Sequence, residues 1–199
     1  MRSVLMAFLL SLVLAASAGS QPPPFAPGER VLLDAHNCYP YHGLWTNRLA
    51  RALSTGTPLA VEVDLAWRAD TDSGADRVLV AHGEPVTGGE PEFAEYFFEG
   101  VRSRVEAALE KGVKRDWPLF VLNINDIRTS DAACLAAVKE TLTKYEDWLC
   151  TAERSADPLK VAPLRVRPIL VLTESGQEAK RVFHDDVPIG GRICAFGRA

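Results

Sequence analysis

The stretch from Leu32 to Gly83 contains three short apolar runs, and each of them ends on polar residues. The runs read Leu-Leu-Asp-Ala-His36-Asn37, Ala-Val-Glu62-Val-Asp64-Leu and Val-Leu-Val-Ala-His82-Gly83. Apolar runs of this length, bounded by turn residues, are typical of strands that are buried on both faces of a parallel sheet. The stretch therefore predicts an α/β fold in which three strands carry polar groups at their carboxyl ends.

The polar groups of these strands are expected to meet at one rim of the sheet. Alternation along the second run places Glu62 and Asp64 on the same face of their strand. Parallel strands align their carboxyl ends, and sites in α/β folds lie at that edge. If the three strands are parallel neighbours, His36, Asn37 and His82 lie beside the two carboxylates.

The residue types at this rim suit the cleavage of a phosphodiester. Glu62, Asp64 and the amide oxygen of Asn37 are hard oxygen ligands of the kind that calcium binds. His36 and His82 can flank a phosphate, one stabilising developing charge and the other passing a proton. Each residue alone has an ordinary structural explanation, since histidines at strand ends and Glu-x-Asp pairs are common. Their combination at successive strand ends favours a functional site.

The motifs His36-Asn37, Glu62-x-Asp64 and His82-Gly83, in this order, resemble those of the phosphatidylinositol-specific phospholipase C-like phosphodiesterases. The calcium-dependent branch is the most similar, and the resemblance covers about residues 31–127. It implies that Asn37 and the two carboxylates bind calcium, with magnesium as the alternative, and that the two histidines are catalytic. Glycerophosphodiester phosphodiesterases share the barrel but typically have Arg after the first His, so Asn37 favours the phospholipase side.

A fourth strand is predicted at Pro118–Asp126, where Asn123 and Asn125 share a face. The resembled family often has a calcium-binding Glu near this position. Asn125 is the best match to it and completes a predicted metal set with Asn37, Glu62 and Asp64. The change from Glu to Asn removes one formal charge, so we expect weaker metal affinity unless Asp126 or water substitutes.

Apolar periodicity and turn residues predict the other elements. Helices are expected at Trp45–Ser54, Pro91–Lys111 and Gln177–Phe183, and a long helix is expected to start at Ser130-Asp131 and to bury Leu135, Val138, Leu142, Tyr145 and Leu149. Strands are expected at Pro58–Ala66, Arg167–Thr173 and Gly191–Phe196. His184 and the acidic Asp70–Asp76 segment, which lacks the final Glu of a calcium loop, are predicted to be surface residues. His42 is predicted to lie in a loop near the site, with contact to the substrate as the alternative.

The resemblance implies a TIM-type (β/α) barrel over residues 30–199. A closed eight-stranded barrel usually needs ~250 residues, and about six strands are predicted in this chain of 199 residues. We therefore expect a barrel that is incomplete at its carboxyl end, as in a fragment. Unpaired strand edges would make such a chain poorly soluble and weakly active by itself.

The beginning of the chain predicts export. Residues 1–18 combine a basic start, an apolar run and the small-residue site Ala16-Ser17-Ala18, as a secretory signal peptide does. Residues 19–29 form a proline-rich lead-in. We therefore expect a periplasmic or secreted protein.

The charge of the chain limits its partners. The formal net charge of −4 argues against a nucleic-acid partner. It also gives no general attraction to anionic membranes. A phosphodiester or phospholipid substrate, with transient contact to a membrane surface, is compatible with this balance, and no obligate protein partner is indicated.

Four cysteines in an exported chain raise the question of disulfides. Cys134 and Cys150 are predicted to share one helix, which would separate them by roughly 24 Å. A complete set of disulfides would then pair each of them with Cys38 or Cys194. Buried free thiols are the favoured interpretation for Cys134 and Cys194.

The sequence leaves two functional hypotheses open. The first is an exported, metal-dependent phosphodiesterase that cleaves a phospholipid head group or a glycerophosphodiester, with water or a substrate hydroxyl as nucleophile. The second is a catalytically silent barrel that binds a lipid head group or a partner protein. The second hypothesis is motivated by Asn125 and by the expected incomplete barrel.

Overall fold

The computed structural model describes residues 32–41, 43–68, 77–83, 86, 89–112, 116–127, 132–157, 159–160, 162–174 and 176–197. The predicted signal peptide, the lead-in, His42, the Asp70–Asp76 segment and the Ser130-Asp131 helix start lie outside the described residues.

The described part of the chain forms an α/β fold around one mostly parallel sheet, so the predicted class is confirmed. In chain order the strands are β1 (Leu33–Ala35), β2 (Leu59–Arg68), β3 (Arg77–Val80), β4 (Phe120–Ile127), β5 (Ala152–Glu153), β6 (Ile169–Thr173), β7 (Arg192–Ile193) and β8 (Phe196–Gly197). Parallel pairing gives the order β1-β2-β4-β6-β8, and β3 joins β2 to make six strands. β5 and β7 form a separate antiparallel pair.

Helices connect the parallel strands. They are α1 (Arg48–Ser54), α2 (Gly100–Glu110), α3 (Ala132–Lys144) and α4 (Gln177–Lys180), with π-helical turns at Ala94–Glu99 before α2 and Arg181–Asp185 after α4. The buried core lies between these helices and the sheet, and β2 and β4 contribute side chains with no exposed surface, such as Val61, Val63, Leu122 and Ile124. None of the described helices is both long and apolar enough to cross a membrane.

The predicted parallel arrangement of the first three strands is wrong for β3. β3 runs antiparallel to β2, with Leu65 paired to Val80 and Arg68 to Arg77. Only residues 69–76 connect the two strands, and a parallel crossover needs a dozen residues or more. Leu59 pairs with both β1 and β4, and Leu65 with both β3 and β4. β1 and β3 therefore share one edge of β2 and approach its middle from opposite directions.

The prediction that Cys134 and Cys150 share one helix is also wrong. α3 ends at Lys144, a 3-10 turn follows at Glu146–Trp148, and Cys150 lies in extended chain after it. The turn lets the ring of Tyr145 stack on Phe98, with centroids 4.2 Å apart. It also brings the chain back to the sheet, since Leu149 forms a β-bridge with Ile169.

Other observed element boundaries differ from the predicted ones by a few residues. The first predicted helix begins at Arg48 rather than Trp45, and the helix predicted at Pro91–Lys111 is a π-helical turn followed by α2. The single strand predicted at Gly191–Phe196 is divided between β7 and β8. Pairing of β7 with β5 and of β8 with β6 explains the division, because the two pieces join different sheets.

All four cysteines are free, and Cys38, Cys134 and Cys150 are buried, whereas Cys194 is partly exposed. We expect alkylation in denaturant without reductant to add four labels to the intact mass. In the native protein, labelling of the three buried thiols should be far slower, because burial blocks access and raises the pKa of Cys38 and Cys150 to about 11. An intact mass with two labels would instead show a disulfide.

Candidate active site

The turn that follows β1 lies against the middle of β2. The backbone N–H of Cys38 donates a hydrogen bond to the carbonyl oxygen of Glu62 over 2.9 Å. Asn37, one residue earlier, has a φ of 49°, in the left-handed region where Asn is among the favoured residues. This conformation lets the N–H of Asn37 donate to Oε2 of the Glu62 side chain. The turn therefore binds both the backbone and the carboxylate of Glu62.

β3 reaches the same edge of β2 from the other side. The N–H of Ala81 donates to the carbonyl oxygen of Asp64 over 3.1 Å, two residues along β2 from Glu62. Nε2 of His82 then lies 3.9 Å from Oδ2 of Asp64. In the same way, Nε2 of His36 lies 4.0 Å from Oε2 of Glu62. The structure thus brings together the two histidines, Asn37 and the two carboxylates, although β3 is antiparallel.

The two carboxylates are arranged alike. Both side chains are 2% exposed, whereas the side chains of His36 and His82 are 69% and 45% exposed. One oxygen of each is held from the turn after β1: Oε2 of Glu62 by the N–H of Asn37, and Oδ2 of Asp64 by the hydroxyl of Tyr39 at 2.7 Å. Within the described residues, the other oxygens, Oε1 and Oδ1, are buried without a hydrogen-bond partner. Each carboxylate is therefore anchored on one side and unsatisfied on the other.

Three residues that sequence reasoning did not single out hold this turn in place. Nη1 of Arg48 donates to the carbonyl oxygen of Asn37 over 2.5 Å, and the hydroxyl of Tyr96 donates to the carbonyl oxygen of Cys38 over 2.8 Å. The hydroxyl of Tyr39 lies within hydrogen-bond distance of the Asn37 amide oxygen and of Asp64. Arg48 and Tyr96 come from helical segments that no spacing in the sequence links to the turn.

The asparagines of β4 are placed differently from one another. Asn123 pairs with Glu62 in the parallel register, and its Oδ1 is also buried without a hydrogen-bond partner in the described part of the chain. Between Val63 and Asp64 the register shifts, so that Asp64 pairs with Asp126 and Asn125 is the extra residue of a β-bulge. Without the bulge Asn125 would stand opposite Asp64. The predicted ligand Asn125 is thus flanked by two further oxygen donors, Asn123 and Asp126, at the register positions beside the carboxylates.

The surroundings of Glu62 favour its protonated form. Burial is the largest cause and raises the pKa of the Glu62 carboxyl, and the neighbouring charge of Asp64 raises it further. The N–H of Asn37 and the imidazole of His36 act in the opposite direction. The pKa of Glu62 remains above its ordinary value, so ionising this carboxylate costs free energy in the folded state. A nearby positive charge would offset that cost.

The donor set fits an oxygen-binding divalent cation. Buried carboxylate and amide oxygens without partners are rare and costly, and such oxygens are the ligands that calcium prefers. Among the described residues, no group of three or more His, Cys, Asp or Glu side chains is arranged to hold a metal ion. A cation here would therefore bind Glu62 and Asp64 and depend on the amide oxygens of asparagines to complete its shell.

An exposed apolar patch lies beside His82. The ring of Tyr41 packs edge-on against His82, with centroids 5.9 Å apart, and Tyr41 bridges to Leu44 across a tight turn. Leu44 and Trp45 are exposed, and the guanidinium of Arg48 lies 4.5 Å from the centre of the Trp45 ring. We call Tyr41, Leu44 and Trp45 the apolar patch.

Comparisons with protein-family models, curated proteins and solved structures find no match to this chain. The fold and the site define it as an α/β protein with a mostly parallel sheet, in which two exposed histidines flank a buried carboxylate pair.

Replacing Glu62 by Gln should stabilise the protein in metal-free buffer at pH 7. The substitution removes a buried negative charge that lies beside the charge of Asp64, and the amide oxygen of Gln can still accept the hydrogen bond from the N–H of Asn37. Because the folded state raises the pKa of Glu62, it binds the proton more tightly than the unfolded chain does. The free energy of unfolding of the native sequence should therefore fall as pH rises from about 4.5 through the raised pKa, and E62Q should lose this dependence.

Thermal melts with EDTA from pH 4 to pH 8 measure this difference. The control is Glu153→Gln, because Glu153 is exposed on β5. A lower melting temperature for E62Q than for the native chain at pH 7 would contradict the prediction, since the charge of Glu62 would then support folding.

Proposed function

We propose that this chain is a phosphodiesterase resembling the phosphatidylinositol-specific phospholipases C, and that it cleaves a phospholipid head group or a glycerophosphodiester. One observation carries the proposal. Among the described residues, each buried carboxylate has one anchored oxygen and one oxygen without a hydrogen-bond partner, and an exposed imidazole lies about 4 Å from each carboxylate. A merely structural carboxylate pair would have its oxygens satisfied by the protein.

The sheet order supports a TIM-type barrel as the finer description of the fold. Parallel neighbours β1-β2-β4-β6-β8 follow the chain order, and a helix lies in the connection between each pair. This is the repeated strand–helix unit from which such barrels are built. The turn after β1 and the polar end of β4 then lie at the carboxyl rim, where barrel enzymes have their sites.

Glu62, Asp64, Asn37 and Asn125 would hold the cation, which we propose to be calcium, with magnesium as the alternative, and Asn123 adds a further oxygen donor. When bound, a divalent cation neutralises charge on the phosphate oxygens. Binding there would also give a partner to the carboxylate oxygens that lack one among the described residues, which lowers the cost of burying two neighbouring charges.

The histidines have separate tasks in this proposal. His36, beside Glu62, donates a hydrogen bond from its imidazole to a phosphate oxygen and stabilises the charge that develops there. His82, beside Asp64, donates its proton to the leaving oxygen as the bond from that oxygen to phosphorus breaks. The new bond to phosphorus comes from the oxygen of water or of a neighbouring substrate hydroxyl, and the proton that this nucleophile loses passes to solvent. Both side chains are exposed enough to reach a substrate, while their carboxylate neighbours are buried.

Replacing His82 by Ala should lower turnover by about two to four orders of magnitude, the usual contribution of a general acid. Substrate affinity and melting temperature should change little, because the side chain of His82 is half exposed. The assay is the hydrolysis of phosphatidylinositol and of glycerophosphodiesters with added calcium. His184→Ala is the matched control, since His184 is a partly exposed histidine paired with Asp185 on the π-helical turn after α4. Loss of folding in H82A would show that His82 is structural.

The silent barrel is the second candidate. It is favoured by neutral Asn125, the best sequence match to a Glu that the resembled family often has, and by the bulge that leaves Asn125 out of register with Asp64. It predicts head-group binding without turnover of either substrate class. Calcium titration by calorimetry, with Asp64→Asn as the comparison, separates the two candidates. Calcium binding that Asp64→Asn abolishes, together with hydrolysis, supports the enzyme.

The apolar patch should contribute to contact with a lipid surface, because exposed Trp, Tyr and Leu side chains favour the membrane interface. The net charge of −4 makes this contact apolar rather than electrostatic, so phosphatidylcholine vesicles are the suitable probe. We expect Leu44→Ser and Trp45→Ser each to weaken vesicle binding several-fold in sedimentation assays. Activity on a soluble short-chain substrate should be retained. Ile189→Ser, at an exposed residue of another loop, is the control. An equal loss of vesicle binding in all three variants would contradict a specific role of the apolar patch.

A further inference from the structure

Tyr39 joins the turn after β1 to the buried carboxylate of Asp64. Its side chain is only 1% exposed and packs in the main apolar core. Its hydroxyl lies 2.7 Å from Oδ2 of Asp64 and 2.8 Å from Oδ1 of Asn37. We propose that Tyr39 is a positioning residue that aims Asp64 and Asn37 at the cation. This inference rests on the proposed function and deepens it.

The hydroxyl has one proton and lies within reach of the oxygens of both Asp64 and Asn37, so it links the positions of both side chains. The ring is enclosed by the core and cannot swing away, which makes the hydroxyl a fixed point. With Oδ2 of Asp64 held by this point, Oδ1 is the oxygen that has no partner in the described part of the chain. Without the hydroxyl, the carboxylate would be free to rotate about its last side-chain bond.

The N–H of Asn37 does for Glu62 what the Tyr39 hydroxyl does for Asp64. It holds Oε2 and leaves Oε1 without a partner among the described residues. Both anchors belong to the same three-residue turn, Asn37–Tyr39, so this turn sets the orientation of both carboxylates. Outer groups of this kind, which orient metal ligands without touching the metal, typically change metal affinity or activity by about 10–100-fold when removed.

Tyr96 offers a contrast on the same turn. Its hydroxyl donates to the backbone carbonyl of Cys38 over 2.8 Å, so it supports the turn without touching a carboxylate. Removing either hydroxyl deletes one hydrogen-bonded oxygen and keeps the aromatic ring. The pair Tyr39→Phe and Tyr96→Phe therefore separates orientation of the ligands from general stability of the turn.

The test is calorimetric titration of the full chain with calcium chloride, with circular dichroism to confirm folding. We expect Y39F to bind calcium about 10–100-fold more weakly than the native sequence. Y96F, which loses a support of the turn but keeps both carboxylate anchors, should lose much less affinity than Y39F. Phosphodiesterase activity of Y39F should recover as the calcium concentration is raised, since the histidines are untouched. A loss of turnover that no calcium concentration restores would overturn the inference.

The failures can be told apart. Native affinity in Y39F, or the same loss in Y39F and Y96F, overturns the role of Tyr39 and leaves the proposed function intact. A folded native chain that neither binds calcium nor hydrolyses either substrate overturns both.

If Y39F does not fold, fluorine NMR of the native chain labelled with 3-fluorotyrosine decides the question. The sequence has four tyrosines, so the Tyr39 signal is identified by elimination with Tyr41→Phe, Tyr96→Phe and Tyr145→Phe. Calcium should shift the Tyr39 signal and leave that of Tyr145, whose hydroxyl is bonded to Glu99, unchanged. An unmoved Tyr39 signal overturns the inference.

Discussion

The burial of two carboxylates side by side in the middle of β2 is the constraint on which the rest of this site depends. Neighbouring negative charges in the sheet interior repel each other and lose their hydration, as the raised pKa of Glu62 reflects. The fold tolerates them because the turn after β1 donates a hydrogen bond to each carboxylate, while backbone hydrogen bonds from this turn and from the end of β3 hold the same edge of β2. The apolar side chains of β2, such as Val61 and Val63, hold the strand in the core.

Incomplete hydrogen bonding of buried charges, as in these two carboxylates, is typical of sites that bind a ligand at a cost in stability. The protein satisfies one oxygen of each carboxylate and leaves the other buried without a partner in the described part of the chain. A buried group left this way normally destabilises a fold. It becomes favourable if a cation binds there, since ligand binding to the folded state adds stability. The unsatisfied oxygens therefore link the energetics of the fold to its proposed activity.

The direction of β3 shows that one constellation can be reached by a different topology from the one the sequence suggests. If all three strands were parallel, His82 would reach the same edge of the sheet at the end of the third strand, after a second crossover. Instead β3 folds back antiparallel and its end meets Asp64 at the middle of β2. This works because β2 is long enough for β1 to pair with its first half and β3 with its second. His82 therefore lies beside Asp64 although only a few residues connect β2 to β3.

The sequence by itself determined β1 to β4 and β6, because alternation and apolar runs are local properties, and it determined that Glu62 and Asp64 share a face. It also indicated the residue types at the ends of those strands. Only the tertiary structure decided the direction of β3, the bulge at Asn125 and the end of α3 at Lys144, since each depends on which distant segment supplies the hydrogen bonds. The role of Tyr39 belongs to the same group, because a hydroxyl finds its acceptors only when the core has placed its ring.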